Sequence, residues 1–196
     1  MLRDHLPPFV AENYYCGEWN HASAIMTTDF PSEWDDLMDV LSAYRLKKSY
    51  ITKPGGNKSQ TAQFIDGFLG SRGWRETRFD TKIVVDEIEA ETPTHKIDMF
   101  KNGVAVEVEW NNKDPFFDRD LNNFRLLYML RTVSVGVIIT RSNELQEIFN
   151  SLGRGSSYGN NTTHLSQLIP RIEGGGAGGC PVLTFGIKAS LFREDE

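Results

Sequence analysis

The spacing of apolar and polar positions changes several times along the 196-residue chain, and each change predicts an element. Trp34, Leu37, Met38 and Leu41 recur at helical spacing behind Ser32, a residue able to cap the first turn. A second helix carries Ala62, Ile65, Phe68 and Leu69, with Ser59 at its cap and Gly73 closing it, and residues 51–58 before it read as a loop. A strand is expected over about 82–88. From 96 to 112 (KIDMFKNGVAVEVEWNN) the period drops to two on both sides of Asn102-Gly103. Both of these residues tolerate the positive φ that a type I′ hairpin turn demands. Asp114-Pro115 breaks the strand, and Leu121, Phe124, Leu127, Tyr128 and Arg131 mark an amphipathic helix from about Asp118. Residues 133–140 form a continuous apolar run, as in a strand covered on both faces. A helix over 143–152, a polar stretch over 153–164, a glycine-rich turn at 174–179 and a last strand over Val182–Ile187 follow. The first thirty residues have no clear period and read as an arm or an irregular cap. Hairpin, helix and buried strand in succession predict an α/β fold, and the length suits one domain over 1–196.

The hairpin gathers chemistry. A two-residue turn at Asn102-Gly103 sets Lys101 opposite Val104, Phe100 opposite Ala105, Met99 opposite Val106 and Asp98 opposite Glu107. Alternation sends Ile97, Met99, Val104, Val106, Val108 and Trp110 to one side and Asp98, Phe100, Ala105, Glu107 and Glu109 to the other. Directly opposed carboxylates stand roughly 4.5 to 5.5 Å apart at Cβ and repel unless a cation or a shared proton offsets them. Hard oxygen donors of this kind suit Mg²⁺ or Mn²⁺. Val-Glu-Val-Glu also describes the wet face of any half-exposed strand. The apolar strand that follows leaves little room for a solvent-facing Glu107 and favours the site.

Composition narrows the function classes. The apolar and charged fractions are those of a soluble globule, no apolar run is long enough to span a bilayer, and the first residues lack a signal-peptide pattern, so a cytoplasmic protein is expected. Cys16 and Cys180 have no CxxC pairing and support neither a disulfide framework nor a zinc site. The four histidines are scattered and no Gly-x-Ser-x-Gly elbow exists, which leaves nucleophilic hydrolase chemistry unsupported. His95 is assigned to the side of its strand away from Asp98. Gly55-Gly56-Asn57-Lys58-Ser59 lacks the glycine spacing of a nucleotide phosphate loop, but free N–H groups at the helix start behind it suit a DNA backbone phosphate, through Lys58 and Ser59. The formal charge of −6 opposes nonspecific adhesion to DNA, while Arg45, Lys47, Lys48, Lys53, Lys58, Arg72, Arg75 and Arg78 form a basic-leaning segment. The stretch 153–164 is rich in groups able to read base edges, and on composition alone it equally suits a surface loop.

Asp98, then Glu107-Val108-Glu109 on the adjoining strand, then a helix and the strand VGVIIT (135–140) resemble the PD-(D/E)XK nuclease core. VEVEWNN (106–112), the nine-residue step from Asp98 to Glu107, VIITR (137–141), and PGGNKS (54–59) followed by GWRE (73–76) are similar to the BglII/BstYI/BamHI group of type II restriction endonucleases. The likeness covers roughly 30–190 and is strongest from 96 to 141. Ile97 stands where the general pattern has proline, and Glu109 where it has lysine. An acidic residue or glutamine at the latter position is itself a mark of this group.

The resemblance implies a mixed central sheet flanked by helices and Mg²⁺-dependent hydrolysis of DNA phosphodiesters, with Mn²⁺ able to substitute. Asp98, Glu107 and the Val108 carbonyl would hold the metal, Glu109 would orient or deprotonate water, and Glu76 would be an outer acidic residue, with Asp66 and Glu87 competing for that place. Residues 153–180 become recognition and glycine-rich loops, and Asn111, Asn112, Lys113, Arg154, Ser156, Ser157, Asn160 and Asn161 join Lys58 and Ser59 as DNA contacts. One site cuts one strand, so a homodimer on a palindrome is expected, by resemblance one containing GATC. A DNA methyltransferase belongs to such a system without being a stable subunit. A structure-selective repair or junction nuclease on the same core, and a non-catalytic DNA-binding module, are the alternatives.

Overall fold

The computed structural model describes residues 2–53, 58–86, 88–92, 95–113 and 116–195, with 83–85 and 88–92 described by their backbone. Residues 54–57, Glu87 and the Asp114-Pro115 break lie outside them. The strands are β1 (Tyr14–Trp19), β2 (Leu46–Lys47), β3 (Arg75–Thr77), β4 (Thr81–Val85), β5 (Ile88–Thr92), β6 (Ile97–Lys101), β7 (Val104–Glu109), β8 (Val135–Arg141), β9 (Val182–Ile187) and β10 (Phe192–Arg193). The helices are α1 (Pro8–Asn13), α2 (Ala22–Asp29), α3 (Pro31–Ala43), α4 (Lys48–Thr52), α5 (Gln60–Gly70), α6 (Phe116–Met129), α7 (Leu145–Ser151) and α8 (Leu165–Glu173).

Six strands form the central sheet in the order β1-β9-β8-β7-β6-β3. The inner strands β7, β8 and β9 run parallel, and the pairs β1–β9, β6–β7 and β3–β6 are antiparallel. This is the mixed sheet between helices that the sequence led one to expect. Alternation along β7, β8 and β9 feeds two cores. Val104, Val106, Val108, Val137, Ile139 and Phe185 pack with Leu37, Leu41, Ile65 and Phe149 on one face. Ala105, Ile138 and Val182 pack with Phe117, Leu121, Phe124, Leu168 and Ile172 on the other. Gly136 lies on this second face, where a Cβ would collide with the Phe124 ring, so the missing side chain lets α6 sit close to the sheet.

The turn of the β6–β7 hairpin forms as read, with φ of +48° at Asn102 and +89° at Gly103. Ion pairs fix it from behind. Asn102 Nδ2 donates to Glu33 at 2.8 Å, and Lys101 Nζ (2.8 Å) and Trp74 Nε1 (2.9 Å) both donate to Asp36 Oδ2. Arg72 Nη1 bridges Asp36 (3.2 Å) and Asp39 (2.6 Å). Burial would push the Asp36 carboxyl up, but the hydrogen bonds from Lys101, Trp74 and Arg72 outweigh it and hold the group below its ordinary value.

Several expectations are corrected. The first thirty residues are neither arm nor irregular cap: β1 pairs with β9 along its whole length, and Val10, Tyr14, Ala22 and Met26 are buried. Ser32 does not cap its helix, which begins at Pro31 with Phe30 in the cap position. Ser59 does cap α5, accepting from Ala62 N–H at 3.1 Å. The single strand expected over 82–88 is the hairpin β4–β5. Helix α8 lay unread between the polar stretch and the glycine-rich turn, with Pro170 inside it. No helix among the described residues is long and apolar enough to cross a membrane.

Candidate active site

β6 and β7 part where the carboxylates begin. The ladder runs Lys101↔Val104, Phe100↔Ala105, Met99↔Val106 and goes no further. On the other side of β6, Arg75 pairs with Phe100 and Thr77 with Ile97, so β6 carries one residue more than β3 over the same span, a bulge. The bulge reverses the alternation, and Ile97 packs with Ala105 and Phe117 rather than sharing a side with Met99. Asp98 and Glu107 are therefore not a directly opposed ladder pair. They interlock through the backbone: Val108 N–H donates to Asp98 Oδ2 at 3.1 Å, and Asp98 N–H donates to Glu107 Oε2 at 3.3 Å.

Glu107 and Glu109 are 1% and 2% exposed, on the α6 side of the sheet, and α6 adds a third carboxylate, Asp120, at 0%. Arg119 reaches Glu109 Oε1 (3.2 Å) and Asp120 Oδ1 (2.9 Å) from the cleft side, with its guanidinium 4.3 Å from the centre of the Phe116 ring. Asn112 Nδ2 donates to Glu109 Oε2. Burial pushes the Glu107 carboxyl well above its ordinary value, and the charges of Asp120 and Asp98 push it further. Burial also raises Glu109 and Asp120, and the charge of Glu109 pushes Asp120 further. Among the described residues Glu107 Oε1 and Asp120 Oδ2 have no hydrogen-bond partner.

Asp98, Glu109, Val108, Asn112 and Arg119 border a cleft of about 370 Å³, together with Lys58, Ser59 and Glu76. Lys58 is ion-paired with Asp66, a buried α5 carboxyl that burial raises to about 6. Glu76 lies on β3, and its 2.9 Å pair with Lys96 lowers its pKa. His95 also lines this cleft, which corrects its assignment to the far side of the strand. Burial, then Arg119, lowers its pKa. No three Asp, Glu, His or Cys side chains among the described residues converge on one point. A cation would thus depend on one or two carboxylates, a carbonyl, water and substrate phosphate. That mixed set suits Mg²⁺, and the unpartnered Glu107 oxygen fits it. Residues 14–187 match the sequence family described as restriction endonuclease BglII/BglIII.

The chain belongs to the BglII/BglIII restriction endonuclease family. No individual curated protein sequence matches it. As a BglII-type enzyme the protein is a site-specific deoxyribonuclease, a hydrolase acting on double-stranded DNA, with a PD-(D/E)XK-like core. Families of this kind generally act with a divalent metal.

The residues of this BglII-family chain expected to contact DNA fall into two groups. Lys58, Ser59 and Asn112 line the carboxylate cleft, while Lys113, Ser156, Ser157, Asn160 and Asn161 surround a second, more open one of about 820 Å³. Asn111, at φ +76°, and Arg154 line neither; among the described residues the buried Asn111 Oδ1 and Arg154 Nε have no hydrogen-bond partner. The second group is firmly held. Tyr158 stacks on Phe149 with ring centres 4.0 Å apart, and the guanidinium of Arg141 donates into the 158–162 backbone and Thr162. Much of the basic-leaning segment is engaged elsewhere: Arg45 donates to the Ser42 and Tyr44 carbonyls, and Arg72 belongs to the network behind the hairpin turn. Sequence reasoning missed Arg119, Asp120 and Arg141. Asp120 had a signal, because it falls in the apolar stripe of Phe117, Leu121, Phe124 and Leu127, where a carboxyl needs a reason to be buried.

Proposed function

We propose that this protein hydrolyses phosphodiester bonds of double-stranded DNA at a short palindromic word, with Mg²⁺ as cofactor and Mn²⁺ able to substitute. The observation that carries the reading is Glu107 Oε1, buried and without a partner beside an Asp98 carboxylate locked to the Val108 amide. Asp98, Glu107 and the Val108 carbonyl would hold the divalent ion, which when bound would supply positive charge to a phosphate oxygen and acidify a water. Glu109 is aimed by Asn112 and Arg119 and accepts the proton of the attacking water. Its raised pKa makes it a stronger base than an exposed glutamate, at the cost of requiring a pH high enough to ionise it. Arg119 balances the charge of Glu109. Glu76 stands at the outer edge of the cleft and keeps Lys96 beside it.

Lys58 and Ser59, at the start of α5, hold a backbone phosphate. Lys113, Ser156, Ser157, Asn160 and Asn161, with Asn111, Asn112 and Arg154 beside them, address the bases. Two copies act as a homodimer, one per strand, on a word containing GATC, in a cytoplasmic restriction-modification system with a separate methyltransferase. The test is digestion of unmethylated phage DNA with Mg²⁺, alongside Asp98→Ala and a chelator, followed by sequencing of the fragment ends. Discrete fragments that vanish in both controls are expected, and their ends give the word. Fragments that persist with Asp98→Ala would overturn the assignment of the site.

A further inference from the structure

Arg141 is the last residue of β8, one step beyond Thr140, which pairs with Glu109 on β7. It is 1% exposed, and no carboxylate forms an ion pair with it among the described residues. A buried guanidinium without a counter-charge is costly to keep, and the Arg141 site would accept a neutral side chain if packing were its purpose. Its Nη2 instead gathers one short stretch of chain, donating to the Tyr158 carbonyl at 3.0 Å, Thr162 Oγ1 at 3.0 Å and, more weakly, the Gly159 carbonyl at 3.4 Å. Asn160 and Asn161 are exposed on this stretch, and Ser156 and Ser157 are exposed just before it.

The far end of the stretch is tied to the catalytic strand. Thr163 N–H donates to the Asn112 carbonyl at 2.8 Å, and Asn112 N–H returns a bond to Thr163 Oγ1 at 3.1 Å. Lys113 and Thr162 form a bridge beside this pair. The Asn112 side chain donates to Glu109. From the base-facing stretch to the water-activating carboxylate there are two hydrogen-bonded steps, both through one asparagine.

We propose that Arg141 and Thr163 are specificity-determining positioning residues: together they clamp residues 158–163 to the ends of β7 and β8, so that Glu109 is aligned only when those residues sit correctly on the DNA. The proposal rests on the endonuclease reading above. A clamp of this kind acts on turnover at the right word relative to wrong words, whereas a purely structural anchor acts on all words alike.

The experiment compares kcat and KM on a duplex bearing the word found by end sequencing and on duplexes with one base pair changed. The proteins are the wild type, Arg141→Met, Arg141→Lys and Thr163→Val, each with its melting temperature. Arg141→Met and Thr163→Val are expected to lower the right-to-wrong ratio of kcat/KM by about tenfold or more, within the range a single base contact commands, with the loss on the right word carried by kcat. Arg141→Lys, which keeps the charge and one donor group, recovers part of the ratio. If Arg141→Met does not fold, Thr163→Val, which deletes one acceptor at nearly constant volume, decides alone. A ratio unchanged in the folded variants, with rates on all duplexes falling together, overturns the clamp and leaves the endonuclease reading standing. A wild type that cuts none of these duplexes overturns both.

Discussion

The two ends of the β6–β7 hairpin handle buried charge in opposite ways. At the turn, Glu33, Asp36 and Asp39 meet Lys101, Arg72, Trp74 and Asn102, and Asp36 accepts three donors. At the open end, Arg119 pairs with Glu109 and Asp120, and among the described residues Glu107 Oε1 and Asp120 Oδ2 have no hydrogen-bond partner. The pKa directions follow, down for Asp36 and up for Glu107, Glu109 and Asp120. Charge matched within the fold serves stability. Charge left unmatched is an electrostatic cost, which on the function proposed above is offset by a cation and the phosphate it accompanies.

The comparison can be broken at either end. Glu107→Gln keeps the shape of the open end and removes the charge. It is expected to lower the rate of plasmid cleavage by about a thousandfold or more while leaving the melting temperature unchanged or higher, because a burdened carboxylate is gone. A clear fall in melting temperature would place Glu107 with the structural charges instead. Asp36→Ala should show the reverse, a loss of about 2 kcal/mol in a urea titration with activity per folded molecule preserved, since Lys101 and Trp74 lose their shared acceptor and Arg72 is left with Asp39. Activity lost beyond the unfolded fraction would mean that the two ends are coupled.

Acidity separates the ends more gently. Asp66, raised to about 6, and the open-end carboxyls bind protons more tightly in the folded protein than in the unfolded chain. Their contribution to stability is full below the ordinary carboxylate range and is lost as pH rises through their folded values. Asp36 and Glu76 run the other way, contributing above their ordinary values and failing as pH falls. The melting temperature of the metal-free protein should therefore decline from about pH 5 toward neutrality, by a few degrees. Added Mg²⁺ should reverse the decline, as a ligand of the folded state does. A decline equally steep in Glu107→Gln and unaffected by Mg²⁺ would count against the open end as its source.

What could be read from the chain was what its neighbours in sequence determine. The Asn102-Gly103 turn and the three ladder pairs beside it follow from local φ preferences and alternation. The bulge that turns Ile97 away from Met99 arises from the pairing of β6 with β3, about twenty residues upstream, and left no local mark. β1 was missed for the same reason in stronger form: YYCGEW has a glycine and a glutamate in its middle and becomes a strand because β9 offers it an edge. Of the candidate site, the nearness of Asp98 and Glu107 across the hairpin was legible. The places of Arg119 and Asp120 depended on how α6 lies across the sheet, which the closeness at Gly136 decides.

The pairing of β1 with β9 also orders the birth of the protein. Tyr14 is made long before its partner Ile187, so this edge stays open until β9 has been translated. The carboxylate hairpin can form long before, yet β8 and β9, which carry Arg141 and cover the sheet beyond β7, come later. A partial chain on the ribosome thus holds the acids without the finished sheet that aims them, and a cutter of DNA acquires its edge only once β9 has been made.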